Sequence, residues 1–261
     1  MARITTDFQG IIMFRRDYRE RDLLVKILTD KIGPAMFFVK GAKKRGFRMG
    51  PDILPFTHGT YIGSLSSDQL SFINTASDTS QYQAITTDIS KNAYATYILA
   101  LVDSAFPDGQ GIGGWFNQIV AALSLINKGL DEQVITNVIE IQLLIKFGVA
   151  PTWDRCAVCG RSDLPMDYSE QYGGMICQYH WYLDNQRLQL DQRTIYYLQR
   201  LSTLNLKKLN SIKINESTKK RIQFVLDTIY DNQVGLNLKS KRFIREMSSW
   251  EDNLKFKRKK D

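Results

Sequence analysis

Residues 8–39 read FQGIIMFRRDYRERDLLVKILTDKIGPAMFFV. Three short apolar runs, Phe8 to Phe14, Leu23 to Leu28 and Ala35 to Val39, are interrupted by Arg19-Glu20-Arg21-Asp22 and by Lys31-Ile32-Gly33-Pro34, both of them turn sequences. Runs of this length punctuated in this way predict strands. Two more follow, Gly59 to Leu65 and Leu70 to Ile73, set off by Gly50-Pro51 and by Ser66-Ser67-Asp68. Five short strands within about 75 residues suit a small closed or partly closed barrel better than a sandwich, and the oligonucleotide-binding (OB) barrel is five-stranded.

The texture changes near Thr79. Ile85, Ile89, Tyr94, Ile98 and Leu101 recur at helical spacing, as do Val134, Val138, Ile141 and Ile145, with Asp131 as a cap and Gly148 as a stop. Trp115 to Ile126 predicts a further apolar helix ended by Gly129, and the aliphatic stripes read as core. Asp191 to Leu204 and Ser217 to Tyr230 resume the pattern, and Lys239 to Met247 predicts a last short basic helix. No internal repeat or low-complexity linker interrupts the chain.

Between the helical stretches lie Cys156, Cys159, Cys177 and His180, as Cys-x2-Cys and Cys-x2-His. They include every cysteine of the chain and one of its 2 histidines. Each Cys-x2 turn aims two ligands at one point, and two such turns complete a soft tetrahedron suited to Zn²⁺. Small buried thiols with a core histidine would explain each residue singly but not the paired spacing. Four protein ligands leave no position open for water, so the expectation is one structural zinc rather than a catalytic one. A zinc deaminase would need His-x-Glu, whereas His58 is followed by Gly59 and Thr60 and reads as a strand or turn histidine.

These readings divide the 261 residues into an α+β chain: an OB barrel over 1–80, a first helical part over 81–150, a zinc-ribbon-like insertion over 151–182, a second helical part of the same bundle over 183–250, and a basic disordered tail over 251–261. Met1 to Phe8 has no apolar signal-peptide region, no run of eighteen apolar residues occurs, and three cysteines committed to metal argue against disulfides. A soluble, cytoplasmic protein is expected.

The net charge of +8 is unevenly spread: residues 1–50 carry 12 basic and 5 acidic groups, 51–150 carry 3 and 9, 151–200 carry 5 and 6, and 201–261 carry 15 and 7. Basic ends around an acidic middle point to a polyanionic partner, with nucleic acid first. Lys40, Lys43, Lys44, Arg45 and Arg48 lie in a stretch without an acid, with Gly41 and Gly46 bracketing a flexible cationic tip. Arg15, Arg16, Arg19 and Arg21 form a second cluster, partly offset by Asp17, Glu20 and Asp22, and Lys239, Lys241 and Arg242 a third. A charge run is usually a solvated surface, but here Phe14, Tyr18, Phe37, Phe38 and Phe47 add the stacking surface that single-strand binding needs, even though several of these rings must fill the barrel. There is no phosphate-binding Gly-x4-Gly-Lys-Ser/Thr loop, no Gly-x-Gly-x-x-Gly after a strand and no Gly-x-Ser-x-Gly elbow, which argues against an ATP-driven or hydrolytic enzyme.

Gln9-Gly10-Ile11-Ile12, then Arg16-Asp17-Tyr18-Arg19-Glu20-Arg21-Asp22-Leu23-Leu24-Val25 and Leu28-Thr29, the basic turn Val39-Lys40-Gly41-Ala42-Lys43-Lys44, the metal cluster, and Leu238-Lys239-Ser240-Lys241-Arg242-Phe243 together resemble the bacterial recombination mediator RecO family, over nearly the whole chain. The resemblance implies an N-terminal OB domain, a helical domain and a zinc module that some members keep. It further implies ATP-independent binding and annealing of single- and double-stranded DNA in repair and recombination. The partners it implies are RecR, in some settings RecF, and single-stranded-DNA-binding protein, on whose coated strands RecA is loaded. The family's metal set is commonly four cysteines, and His180 departs from it. A receiving site for the acidic tail of the single-stranded-DNA-binding protein is expected between the early apolar helices and later basic ones bearing Lys219, Lys220, Arg221, Lys239, Lys241, Arg242 and Arg245. The rival reading of the same features is a zinc-ribbon adaptor of transcription or translation that binds RNA or a polymerase.

Overall fold

A computed structural model describes residues 4–66 and 69–257, with side chains over 5–66 and 69–250. The strands are β1 (Ile4–Tyr18), β2 (Asp22–Thr29), β3 (Gly33–Val39), β4 (Thr57–Leu65) and β5 (Ser71–Gln81), closed in the order β1-β2-β3-β5-β4. All neighbours are antiparallel except β3 and β5, which meet in parallel at Phe37↔Ser71 and Phe38↔Phe72. This is the expected OB-type barrel. Its interior holds Ile12, Val25, Ile27, Val39, Ile53 and Ile73, with the Phe8 ring stacked between Phe37 at 5.3 Å and Tyr61 at 5.8 Å. Gly10 is required where β1 crosses these side chains, since a Cβ there would lie 2.9 Å from Ile27 and 3.1 Å from the Tyr61 ring.

Strand β2 is buried on both faces from Leu23 to Thr29, Lys26 included. The Lys26 ammonium lies 2.9 Å from Asp103 and 2.6 Å from Asp108, so the strand's outer face is covered by the helical segment and its one charge is paired.

The helices are α1 (Gln83–Thr87), α2 (Ile89–Ala105), α3 (Gly114–Asn127), α4 (Glu132–Leu143), α5 (Gln192–Thr203), α6 (Glu216–Ile229) and α7 (Lys239–Lys257), with a hairpin of β6 (Met166–Ser169) and β7 (Gly174–Cys177) between α4 and α5. Asp88, Asp131, Asp191 and Asn215 cap α2, α4, α5 and α6 through their side chains, as the Asp131 reading anticipated for α4.

Three expectations need correction. The helices form two groups rather than one bundle: α1 to α3 belong with the barrel in a compact unit Met1–Gly129, and α4 to α7 with the metal segment in a second unit, Leu130–Asp261. The basic tail expected from residue 251 is helical through Lys257, and residues 258–261 lie outside the described residues, as do Ser67 and Asp68 of the expected β4–β5 turn. Two stripe positions, Ile89 and Ile145, are 74% and 64% exposed, because Asp88 starts α2 immediately before Ile89 and α4 ends at Leu143. No helix among the described residues is long and apolar enough to cross a membrane.

Candidate metal centre and nucleic-acid interface

The metal segment is built on the β6–β7 hairpin. Thr152 bridges Gly174, where a Cβ would lie 2.6 Å from the Thr152 carbonyl oxygen, and the Ala157 N–H donates to the Met175 carbonyl at 2.7 Å. Between them the Cys156–Cys159 turn closes with the Gly160 N–H donating to the Cys156 carbonyl at 2.8 Å, and Gly160 takes a left-handed φ of 75°. Cys177 ends β7, and the tight turn Gln178–Leu183 carries His180 back toward it.

All four ligand atoms lie within 4.8 Å of one another. Cys159 Sγ and Cys177 Sγ are 3.8 Å apart, and His180 Nδ1 lies 3.2 Å from Cys177 Sγ and 3.6 Å from Cys156 Sγ. Metal–sulfur bonds of about 2.3 Å set sulfur–sulfur edges of about 3.8 Å in a tetrahedron, so the donor set fits a zinc-sized ion with Nδ1 as the histidine ligand. Burial pushes the Cys156 thiol up, but N–H groups of Cys159, Cys177 and Val158 outweigh it and bring the group down to about 6. Burial raises Cys177. The cluster could hold zinc.

Asp167 fastens this segment to the chain that follows. Its carboxylate accepts from the N–H groups of Tyr168, Gln189 and Leu190 at 2.8, 2.9 and 3.0 Å and pairs with Arg187 at 3.2 Å. Apart from Tyr168, its partners become neighbours only in the fold, so no local sequence signal marks it.

On the barrel, the loop after β3 is tied to the β1–β2 turn. The Asp22 carboxylate accepts from the Gly41 N–H at 2.7 Å, and the Lys43 N–H donates to the Arg21 carbonyl at 3.1 Å. Gly41 and Gly46 both take left-handed φ, 66° and 85°, which is what lets the tip fold over. The tie brings two clusters, separate in sequence, to one place: Arg15, Arg16 and Lys43 bound a pocket of about 490 Å³ with Asp17. Lys43 pairs with Asp17 at 2.6 Å across an exposed surface, and Arg19, Arg21, Lys40, Lys44, Arg45 and Arg48 are exposed.

The aromatic residues separate. Phe37 is core, and Phe47 packs against the core from the loop. Tyr18, Phe38 and Phe72 instead form an outward edge-to-face series, at 5.9 and 5.8 Å, with the Arg19 guanidinium 5.2 Å from the Tyr18 ring, while Phe14 is exposed. Phe72 had no local signal, since it joins the series only through the parallel β3–β5 pairing. His58 lies in β4, stacked on Tyr82 at 4.2 Å, and burial lowers its pKa.

The C-terminal cations divide likewise. Lys239 and Arg242 are exposed, but Lys241 lies 2.7 Å from Glu140 and 2.8 Å from Asp227, and Arg245 pairs with Asp227 and Asp231. Lys219 is held by Asp131 at 2.7 Å and by Glu216 at 2.6 Å. Lys241 and Lys219 therefore have carboxylate partners within the fold.

Two family models match in tandem: "Recombination protein O N terminal" over residues 1–82, and "Recombination protein O C terminal" over residues 86–242. The chain belongs to the RecO family. Its relatives among the DNA repair proteins RecO include that of Limosilactobacillus reuteri, 74% identical over 97% of each chain. That of Limosilactobacillus fermentum is 56% identical, over 97% of this chain and 93% of its own, and that of Levilactobacillus brevis 54%, over 98% of each. The gap between the two RecO family models, residues 83–85, falls in the first part of α1, just after the last barrel strand.

Proposed function

We propose that this RecO-family chain is an ATP-independent mediator of DNA repair and recombination. It binds single- and double-stranded DNA, anneals complementary strands, and works with RecR, and in some settings RecF, to load RecA on strands covered by single-stranded-DNA-binding protein. The observation that carries the reading is the exposed cation cluster of Arg15, Arg16, Lys43, Lys44 and Arg45 beside the outward Tyr18–Phe38–Phe72 series on a closed barrel. Cations spaced along a groove follow a phosphate backbone without reading sequence, and outward rings accept unstacked bases. Holding two strands in this way lowers the cost of bringing complementary bases together and requires no bond chemistry. A DNA partner places the protein in the cytoplasm, at the nucleoid.

The reading is tested by annealing complementary strands coated with single-stranded-DNA-binding protein, with no nucleotide present. Annealing by the full chain is expected. Dependence on nucleotide, or no annealing at all, overturns it.

We further propose that Cys156, Cys159, Cys177 and His180 hold one structural zinc. Bound zinc supplies a cross-link between the two ligand turns, and Asp167 carries the resulting order into the segment ahead of α5. Metal analysis of the purified chain should find about one zinc per chain. Cys156→Ser should lose it and render residues 151–182 sensitive to protease. No metal in the wild type, with unchanged thermal stability in the variant, overturns the assignment.

A further inference from the structure

The second unit carries an aromatic and cationic surface that the barrel reading does not use. On α5, Arg193, Tyr196, Tyr197 and Arg200 stand at i, i+3, i+4 and i+7, so all four side chains share one face of the helix. The opposite stripe, Ile195, Leu198 and Leu201, is buried, which fixes the first face outward. Tyr196 is 53% exposed, and its ring meets that of Tyr197 at 5.3 Å with a tilt of 73°. The Tyr197 hydroxyl donates to the Lys213 carbonyl at 3.4 Å, bringing the exposed Lys213 beside the ring pair. At the start of α5, Arg193 faces Lys220 and Arg221 of α6 across a pocket of about 570 Å³.

The acids beside this surface are engaged. Asp191 accepts from the Thr194 N–H at 3.0 Å and from its hydroxyl at 2.7 Å, and Glu216 pairs with Lys219 at 2.6 Å. Arg193 and Arg200 have no ion pair among the described residues. An exposed tyrosine, backed by a half-buried second ring and flanked by arginines one helical repeat from each other, has the two components of single-strand recognition: a flat ring that stacks any base, and cations that follow the phosphates. An acidic peptide would use the cations too, but an outward ring between cations on one helix face matches the repeat of base and phosphate along a single strand.

We propose that the α5–α6 face of the second unit is a separate contact for single-stranded DNA, with Tyr196 as its stacking residue and Arg193 and Arg200 as its phosphate ligands. The inference rests on the DNA-binding reading above and extends it. A protein with one strand contact on its barrel and another on its helical unit has somewhere to hold each of two strands.

The test uses the full chain with labelled oligothymidylate in a salt series and, separately, a labelled oligoglutamate peptide, with five proteins compared: wild type, a barrel variant (Lys43→Gln, Lys44→Gln, Arg45→Gln), a helix variant (Arg193→Gln, Arg200→Gln), Tyr196→Leu and Tyr196→Phe. Losing two phosphate contacts should make log K less steep in log salt by about 1.4. Tyr196→Leu should weaken binding about fivefold or more and reduce the fluorescence change of a 2-aminopurine-labelled strand, while Tyr196→Phe retains both. Unchanged slope and affinity in the helix variant and in Tyr196→Leu, with binding weakened in the barrel variant, overturn this inference alone. A barrel variant like wild type beside a weakened helix variant overturns the barrel site and supports this one. Wild-type protein that does not bind the strand overturns both. A helix variant that loses affinity only for an acidic peptide assigns the face to a protein partner and overturns it as a DNA contact. Unchanged circular-dichroism melts show that each variant folds.

Discussion

The loop after β3 and the helix that begins at Lys239 are much alike as sequence, each a short stretch rich in lysine and arginine, and the fold gives Lys241 and Arg245 of the helix work opposite to that of the loop's cations, while Lys239 and Arg242 stay exposed as the loop's do. In the loop, Lys40, Lys44, Arg45 and Arg48 point into solvent, and the ion pair of Lys43 with Asp17 is an exposed one. In α7, Lys241 is 12% exposed and sits between Glu140, fully buried, and Asp227. The Asn137 amide donates to the second Glu140 oxygen at 3.0 Å, and Arg245 spans Asp227 and Asp231. A cation in water attracts a mobile polyanion, whereas a cation locked between buried carboxylates holds two parts of its own chain together. Charge counted along a sequence does not distinguish these roles. The burial of the counter-acid does.

The largest effect that follows is at Lys241. Lys241→Met leaves Glu140 buried without its cation, and breaking one side of a buried pair costs about 3–5 kcal/mol. Urea unfolding of the full chain should show a loss of that size, and adding Glu140→Gln should recover much of it, because the unpaired charge is then gone. A loss below about 0.5 kcal/mol, the range of ordinary surface substitutions, would mean that α7 is not held by this pair and would erase the contrast with the loop.

A smaller effect is expected on raising the pH. Burial alone would lower the Lys241 pKa, but Glu140 and Asp227 outweigh it and the group lies above its usual value. A folded-state pKa above that of the unfolded chain means stabilisation that is complete below the unfolded value of about 10.4 and is lost as pH climbs through the folded one. Between wild type and the Lys241→Met, Glu140→Gln double variant, which leaves no uncompensated buried carboxyl to titrate, the stability difference should therefore hold constant across neutral pH and shrink above about pH 10.4. A difference that already changes near neutrality would point to another titrating group.

The same contrast explains what could be read from the sequence. The candidate metal cluster was legible because Cys-x2-Cys and Cys-x2-His are local geometry, and the distances among Cys156, Cys159, Cys177 and His180 follow from two turns on one hairpin. The first three strands were legible because their turns are adjacent in the chain. Barrel closure was expected from the number of strands but not located, since Phe37↔Ser71 joins residues far apart in sequence, and β5 runs on through Asn74 to Gln81 as polar, largely exposed residues that resemble a loop. Lys26 and Glu140 were missed for one reason. Each is an ordinary charged residue in sequence, and each is buried only because an acid or a base from a distant element meets it.

The smallest expected effect on stability, and the most selective on binding, belongs to the loop. Lys43→Gln, Lys44→Gln and Arg45→Gln together remove one exposed ion pair and no buried contact, so the unfolding free energy should move by no more than about 0.5 kcal/mol. If the three groups lie on phosphates, each lost contact should flatten the dependence of log K on log salt by about 0.7 on single strands, or up to about 2 for the triple variant, alike across sequences. Fluorescence anisotropy on mixed-sequence and oligothymidylate strands over a salt series would measure this. A triple variant that destabilises the fold would show the loop to be held in place by its cations, as α7 is by Lys241. A stable variant with an unchanged slope would remove the loop from the DNA path and leave Arg15, Arg16 and the Tyr18–Phe38–Phe72 series as the part of the barrel still to be tested.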